Sequence, residues 1–216
     1  MKTRNEPNIV RNTFFVGNLK AHRYRSMLEY LSNNDCDNIL EVGTHKGHTG
    51  AELIRHSKNT NVNYYGVDVF LSGWSDIVER EEQSIKPDDI DTVRNFLSAY
   101  SINVYLYEGR SNDVLPVLKE KNLNFDLIWI DGGHSYETVK NDFVHSIDML
   151  SDDGVIFFDD YTEEKSYPPN NPIPLGVKPF IDELISKNEY EITILNDYVD
   201  EYRGNLYRIV SLKRKK

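Results

Sequence analysis

The sequence is short of cysteine, of positive charge and of long apolar runs, and each shortage removes a class of protein. A single cysteine, Cys36, among 216 residues excludes an intramolecular disulfide and a cysteine-rich zinc site, and it suits a reducing cytoplasm. Lys and Arg number 25 against 35 Asp and Glu, a formal net charge of −10. A surface that negative repels a phosphate backbone, so nucleic acid is not an expected partner. The one basic run, the terminal KRKK, reads as a solvated tail. The longest apolar runs, DLIWI and GVIFF, fall far short of the roughly 20 residues that a membrane-spanning helix needs. The N-terminal stretch MKTRNEPNIVRNTFF has no apolar core followed by small residues, so no secretory signal is expected and the expected location is the cytoplasm. Internal repeats and low-complexity segments are also missing. What is present, 39% hydrophobic and 28% charged residues, is the composition of an ordinary soluble domain.

Short β-branched or apolar runs alternate with stretches of helical period. The runs are NILEVG (38–43), VNYYGVD (62–68), NVYLYEG (103–109), FDLIWID (125–131) and GVIFFDD (154–160), and YEITIL (190–195) and LYRIVSL (206–212) close the chain. The segments between the first five are long enough for crossover helices in parallel βαβ units. In 135–150, Tyr136, Val139, Phe143, Ile147 and Leu150 make one apolar stripe at helical spacing, and Val177, Phe180, Ile181, Leu184 and Ile185 make another over 176–187. This order predicts an α/β fold, a Rossmann-like three-layer sandwich with helices on both faces of the sheet. The last two runs are joined by the polar NDYVDEYRGN, which suits an antiparallel hairpin better than a crossover. The sheet is therefore seven-stranded and mostly parallel, with an antiparallel last strand. Residues 1–37 are expected to form an N-terminal helical extension, with a helix over 21–31, ahead of a single domain over 38–216. Two irregular insertions, 71–89 and 161–174, leave the carboxyl ends of strands, where open α/β sheets bind ligands. The second carries Pro168, Pro169, Pro172 and Pro174 and reads as a stiff loop able to shield a site.

The first strand runs into Glu41-Val42-Gly43-Thr44-His45-Lys46-Gly47. Gly43 and Gly47 allow a tight turn with backbone close to a ligand. The spacing is not G-x-G-x-x-G, and Gly47 is followed by His48 rather than by Lys-Ser/Thr, so neither a dinucleotide fingerprint nor a P-loop is present. Glu41 would repel a pyrophosphate but suits a cationic ligand. Asp68 ends the second strand, where a carboxylate can accept hydrogen bonds from both hydroxyls of a ribose. An acid, a wide glycine loop and a ribose-reading acid describe a positively charged nucleoside, S-adenosylmethionine (SAM). The candidate cofactor set is Glu41, Gly43, Thr44, Gly47, Asp68, Val69, Gly109, Ser111 and Asp131. Asn112 or Asp113 is read either as the cap of the next helix or, with Ser111, as part of the adenine contact. His45 and His48 are expected to face solvent, His22, His56 and His145 to be surface or packing residues, and Trp129 to be core. Trp74 and Tyr161 are candidate walls of an acceptor pocket.

Asp131 ends the fourth strand and Asp159-Asp160 the fifth, so three carboxylates are expected to converge at one rim. Their repulsion would raise their own pKa values, and a divalent cation would relieve it. Oxygen ligands favour Mg²⁺, then Mn²⁺ or Ca²⁺. Gly132 and Gly133 fold the chain so that the His134 imidazole can return over the strand end and accept a hydroxyl proton.

ILEVGTHKGHTG, YYGVD, FDLIWIDGGHSYETVKND and GVIFFDDY together resemble the class I SAM-dependent methyltransferases, and most of all the group containing the macrocin-type sugar O-methyltransferases. The resemblance covers about residues 36–190. It implies a seven-stranded sheet with an antiparallel last strand, a Mg²⁺ held by Asp131, Asp159 and Asp160, and His134 as the base acting on the acceptor. The expected reaction is divalent-metal-dependent O-methylation of a small-molecule hydroxyl, with sugar or catechol-like vicinal oxygens. A metal-independent small-molecule methyltransferase and a non-catalytic SAM-binding module are the alternatives. A homo-oligomer is left open.

Overall fold

Strands buried on both faces read as continuous apolar runs, whereas helices covering them carry one apolar stripe. The computed structural model of this protein, which describes residues 8–11, 23–82, 86–166, 170–202 and 204–216, places both patterns in a single mixed α/β sheet of Rossmann-like topology. The strands are β1 (Asn8–Arg11), β2 (Asn38–Val42), β3 (Asn63–Asp68), β4 (Val104–Glu108), β5 (Phe125–Ile130), β6 (Leu150–Tyr161), β7 (Tyr190–Ile194), β8 (Tyr198–Tyr202) and β9 (Asn205–Arg214). The helices are α1 (Arg25–Asn33), α2 (His48–His56), α3 (Phe70–Gly73), α4 (Asp76–Glu82), α5 (Ile90–Leu97), α6 (Ser111–Glu120), α7 (Tyr136–Ile147) and α8 (Val177–Lys187). Strand order is β1-β8-β9-β6-β5-β2-β3-β4, with β7 also on β9. Pairs β2–β3, β2–β5, β3–β4 and β5–β6 are parallel, and β9 runs antiparallel to β6 and β7.

The sheet exceeds the expected seven strands. The linker read as a polar connection forms β8, and the N-terminal segment adds β1 parallel to it. The physical reason lies in the length of β9, whose ten residues outrun β7. Its first residues would otherwise present an unpaired edge, and Asp200, Glu201 and Tyr202 of β8 cover them. The expected helix over 21–31 is α1, shifted toward the C-terminus, while Ala21 and His22 lie outside the described residues. The insertion after β3 is not wholly irregular, since it contains α3 and α4. Of the proline loop, Pro168 and Pro169 lie outside the described residues.

Side chains of adjacent strand positions go to opposite faces, and this alternation makes the three layers. Leu40, Tyr65, Ile128 and Ile156 pack with Leu115, Phe143 and Phe180 from α6, α7 and α8. Ile39, Tyr64, Leu127 and Val155 pack with Met27, Leu53 and Leu97 from α1, α2 and α5. Trp129 is fully buried in the second group, as expected. Ser135 caps α7, its side chain accepting from the Thr138 amide, and Val139 and Phe143 form the buried stripe. Leu150 leaves that helix and opens β6 opposite Phe125.

Parallel register sets the carboxyl ends at one rim. Val42 is level with Ile130, and Ile130 with Phe158, so the residues that follow each strand emerge side by side. There the loop after β2 crosses the loop after β5 at van der Waals contact. Gly43 has φ +98°, and a Cβ built on it would sit 2.0 Å from the Asp131 carbonyl oxygen. Gly43→Ala should lower unfolding free energy by about 3 kcal/mol or more, from left-handed strain plus overlap. Urea denaturation measures it, and a change under about 0.5 kcal/mol, the range of a neutral surface substitution, would count against the close crossing.

Candidate active site

A cleft of about 250 Å³ opens at this rim. Its floor is Val42, Gly43, Val67 and Asp68; Val69 and Val78 follow from the β3 side, and Gly109, Arg110, Ser111 and Asn112 from the start of α6. Gly132 and Gly133 from the loop after β5 and Thr138 from the first turn of α7 close it. Of the nine candidate cofactor residues, Gly43, Asp68, Val69, Gly109 and Ser111 line it. Thr44 and Gly47 are buried within the loop, and Asp131 stands beside the cleft at the acidic rim. Asn112, read with Ser111 as a possible adenine contact, lines the cleft, whereas Arg110 is a cleft residue that the sequence reading does not single out. The signal for Arg110 is its place directly after Gly109, but a helix start is expected only near Val114. The helix begins at Ser111 and carries no side-chain cap, so neither Asn112 nor Asp113 serves as one.

Asp68 is fixed by its neighbours: one carboxylate oxygen accepts from the His45 amide and the other from the Phe70 amide, both at 2.7 Å. Burial raises its pKa above the ordinary carboxylate value, and those two N–H groups oppose the rise.

Glu41 lies elsewhere than expected. Alternation puts it on the sheet face of Ile39, whereas the cleft is lined by Val42 on the other. It is 1% exposed, the Tyr64 hydroxyl donates to its Oε2, and Oε1 finds no hydrogen-bond partner among the described residues. Burial pushes its carboxyl from 4.5 up to about 8, the Tyr64 hydrogen bond opposing and Asp68 adding. Buried under the loop, Glu41 does not line the cleft.

The acidic rim forms, but not as three equivalent ligands. Asp131, His134 and Asp160 each offer a ligand atom, all within 4.8 Å of one another. Asp159 is not one of this group. Arg23 grips it with Nε on Oδ1 at 2.6 Å and Nη2 on Oδ2 at 2.8 Å; the Tyr24 hydroxyl donates to Oδ2 at 2.7 Å and the Asp160 amide to Oδ1 at 2.7 Å. A carboxylate has about four acceptor positions, and all are used, so a metal set of Asp131, Asp159 and Asp160 does not fit this rim. Arg23 also donates to Asp200 Oδ2 at 2.6 Å and to Asp160 Oδ1 at 3.1 Å. No spacing could have linked Arg23 to acids 136 and 177 residues away.

His134 follows the glycine pair, and its Nε2 lies 3.1 Å from Asp160 Oδ2. The loop is clamped from behind: the Gly176 amide donates to the His134 carbonyl at 2.7 Å, and a Cβ on Gly176 would lie 1.9 Å from the Tyr136 amide. Asp160 holds φ +56°, a strained value for a residue with a Cβ. Burial, then Asp159 and Asp160, push the Asp131 carboxyl well above the ordinary range, with Arg23 pulling the other way. Tyr161 is no pocket wall: it is buried in the core and donates to Asp182 at 2.9 Å. Trp74 does not line the cleft either. The two insertions do meet, through Asn171 donating to the Arg80 carbonyl at 2.7 Å.

A family model described as a methyltransferase domain matches residues 40–161. An uncharacterized protein of Acanthamoeba polyphaga mimivirus is 25% identical over 150 residues, which are 68% of this chain and 63% of that protein. The chain thus spans less than two thirds of that relative's length. Among solved structures, the fold resembles the O-methyltransferase TomG of Streptomyces achromogenes, involved in tomaymycin synthesis and solved in complex with SAM. Identity there is 14%, over 94% of this chain and 82% of that one, at a TM-score of 0.66. The O-methyltransferase of Bacillus cereus, in complex with SAH (S-adenosylhomocysteine), gives 16%, 94%, 84% and 0.65. At such identities the likeness is one of fold.

The state of Glu41 is open to measurement. Folding raises this carboxyl from 4.5 to about 8, so the folded chain holds the proton more tightly than the unfolded one. Its share of stability is complete below the lower value and is lost as pH rises through the upper, a change of roughly 3 kcal/mol by pH 7. Glu41→Gln should flatten the decline in urea midpoint between mildly acidic and mildly alkaline buffer. An unchanged slope would show that Glu41 is not the source.

Proposed function

This chain belongs to the methyltransferase-domain family, and from that premise we propose that it moves a methyl group from SAM to a hydroxyl oxygen of a small molecule. SAM, when bound, supplies an electrophilic methyl group on a sulfonium sulfur. The cleft residues fit it: Asp68 would take the ribose hydroxyls, Val69 and the first turn of α6 at Ser111 and Asn112 the adenine, and Gly43 leaves the space that a side chain would fill. The SAM and SAH complexes of the two structural neighbours support the same cofactor.

One observation carries the chemistry. Gly132 and Gly133 wall the cleft, and the next residue, His134, turns its Nε2 to within 3.1 Å of Asp160. A base and the group that orients it therefore stand beside the methyl donor's place, the arrangement that activates a weak nucleophile. With Nε2 donating to Asp160, the other ring nitrogen, Nδ1, would take the hydroxyl proton, Asp160 would stabilise the resulting imidazolium, and the acceptor oxygen would attack the methyl carbon in line with the sulfur, which leaves as the thioether of S-adenosylhomocysteine. Arg23 with its acids and the packed loop at Gly176 restrict water at this side, which favours a step that neutralises opposite charges. The Asp-Gly-x-His-x-Tyr and Asp-Asp-Tyr motifs, shared with the macrocin-type enzymes, support a sugar-like or catechol-like acceptor.

A second reading is favoured by the closeness of Asp131, His134 and Asp160. These three would hold a divalent ion, Mg²⁺ or Mn²⁺, which would lower the pKa of a coordinated hydroxyl. An imidazole among the ligands suits Mg²⁺ less well than oxygen alone, and His134 would then be a ligand rather than the base.

Transfer of radiolabelled methyl groups to a panel of sugars and catechols separates the two. We expect turnover to persist in EDTA; loss in chelator restored by Mg²⁺ or Mn²⁺ would decide for the second reading. His134→Ala should lower kcat by about 10²–10⁴-fold while SAH binding, followed by calorimetry, is retained. Undiminished turnover in that variant would remove His134 as the base.

A further inference from the structure

The proposed base leaves one feature of the rim without a role: a guanidinium brought in from the N-terminal segment and set among three acids. Arg23 has 11% side-chain exposure, Asp159 2%, Asp160 15% and Asp200 0%. The guanidinium plane is used edge by edge, with Nε and Nη2 forked on Asp159, Nη2 shared with Asp160 Oδ1 and Nη1 on Asp200. Its Cζ lies over the rings of Tyr24 and Tyr207, 5.1 and 5.7 Å from their centroids. Asp159 and Asp160 come from β6 and Asp200 from β8, while β1, from the same N-terminal segment as Arg23, pairs with β8.

Two consequences meet at Asp160. Its Oδ1 is turned toward Arg23 and its Oδ2 toward His134, so the arginine fixes which oxygen the imidazole sees. The Asp160 amide bonds Asp159 Oδ1, so the same guanidinium also anchors the backbone that holds φ +56°. We propose that Arg23 is the resident cation of this rim: it takes the charge position that a divalent ion would need at Asp159 and positions Asp160 for His134. Arg23 touches neither donor nor acceptor in this scheme; it is a positioning residue, and the inference rests on the His134 reading above. Only a forked, planar cation can meet three carboxylates along one edge set, so lysine is not an equivalent.

The test uses the full chain with Arg23→Gln and Arg23→Lys, and Mn²⁺ as the probe, titrated by the electron paramagnetic resonance signal of the free ion. No acceptor is needed for that readout. Wild type should leave the Mn²⁺ signal undiminished, and Arg23→Gln should quench it, because Asp131, Asp159, Asp160 and Asp200 are left without their cation. Turnover of Arg23→Gln should fall about 10²-fold in kcat, the scale of a misplaced reacting group, with KM for SAM unchanged. A merely structural arginine would not create a metal site. Mn²⁺ binding to wild type as tight as to Arg23→Gln, or wild-type kcat in a folded Arg23→Gln, overturns the proposal. Should Arg23→Gln fail to fold, Arg23→Lys decides: it keeps the charge, should still exclude Mn²⁺, and should lower kcat; wild-type kcat there also overturns it. If His134→Ala keeps full turnover, the base assignment fails, whereas the Mn²⁺ titration still reads the cation assignment by itself.

Discussion

Burial of like charges constrains this molecule more than any other feature. Asp159 and Asp200 are almost without solvent, and an uncompensated buried carboxylate costs several kcal/mol. A single guanidinium with five donors in a fixed fork offsets that cost for both and reaches Asp160 as well. The arrangement draws on segments outside the residues that the methyltransferase-domain model matches. A segment from before β2 must return to the carboxyl ends of β5 and β6 to deliver Arg23, and β8 must lie beside β9 to deliver Asp200. The Tyr24 hydroxyl, one residue on, fills the last acceptor position of Asp159.

The cleft and the rim share one scaffold. Parallel register brings Val42, Ile130 and Phe158 level, so the glycine loop, the Asp131 loop and the Asp159-Asp160 pair leave the sheet together. The contact of Gly43 with the Asp131 backbone then ties the cleft side of the rim to its acidic side. A substitution in one loop is felt in the other through packed backbone, with no flexible element between them. Ser135 caps α7 while Gly176 packs behind it, so the histidine loop is held where it passes into α7.

Much of this was readable in the residues. The five alternating runs became β2 to β6, the stripes at 3.6-residue spacing became α7 and α8, and the last two runs pair antiparallel as β7 and β9. Gly43, Asp68, Val69, Gly109 and Ser111 line one cleft as grouped from the sequence. The errors have specific causes. Glu41 was read from its position at a strand end, but period-two alternation sends it to the face opposite the cleft. The strand β8 was hidden because a polar segment became a strand only through pairing with the overlong β9. Asp159 was counted with its neighbours as a ligand because a doubled aspartate does not tell which carboxylate faces which partner.

The sequence by itself determined the alternation of strands and helices, the rim at which their ends gather and the residue types that arrive there, because these follow from periodicity and from the chemistry of glycine, aspartate and histidine along a local stretch of chain. Only the tertiary structure decided which partner each acid meets. Arg23 reaches Asp159 and Asp200 across 136 and 177 residues, and the choice between a metal ion and an arginine depends on three-dimensional proximity and on desolvation, neither of which is written in local spacing.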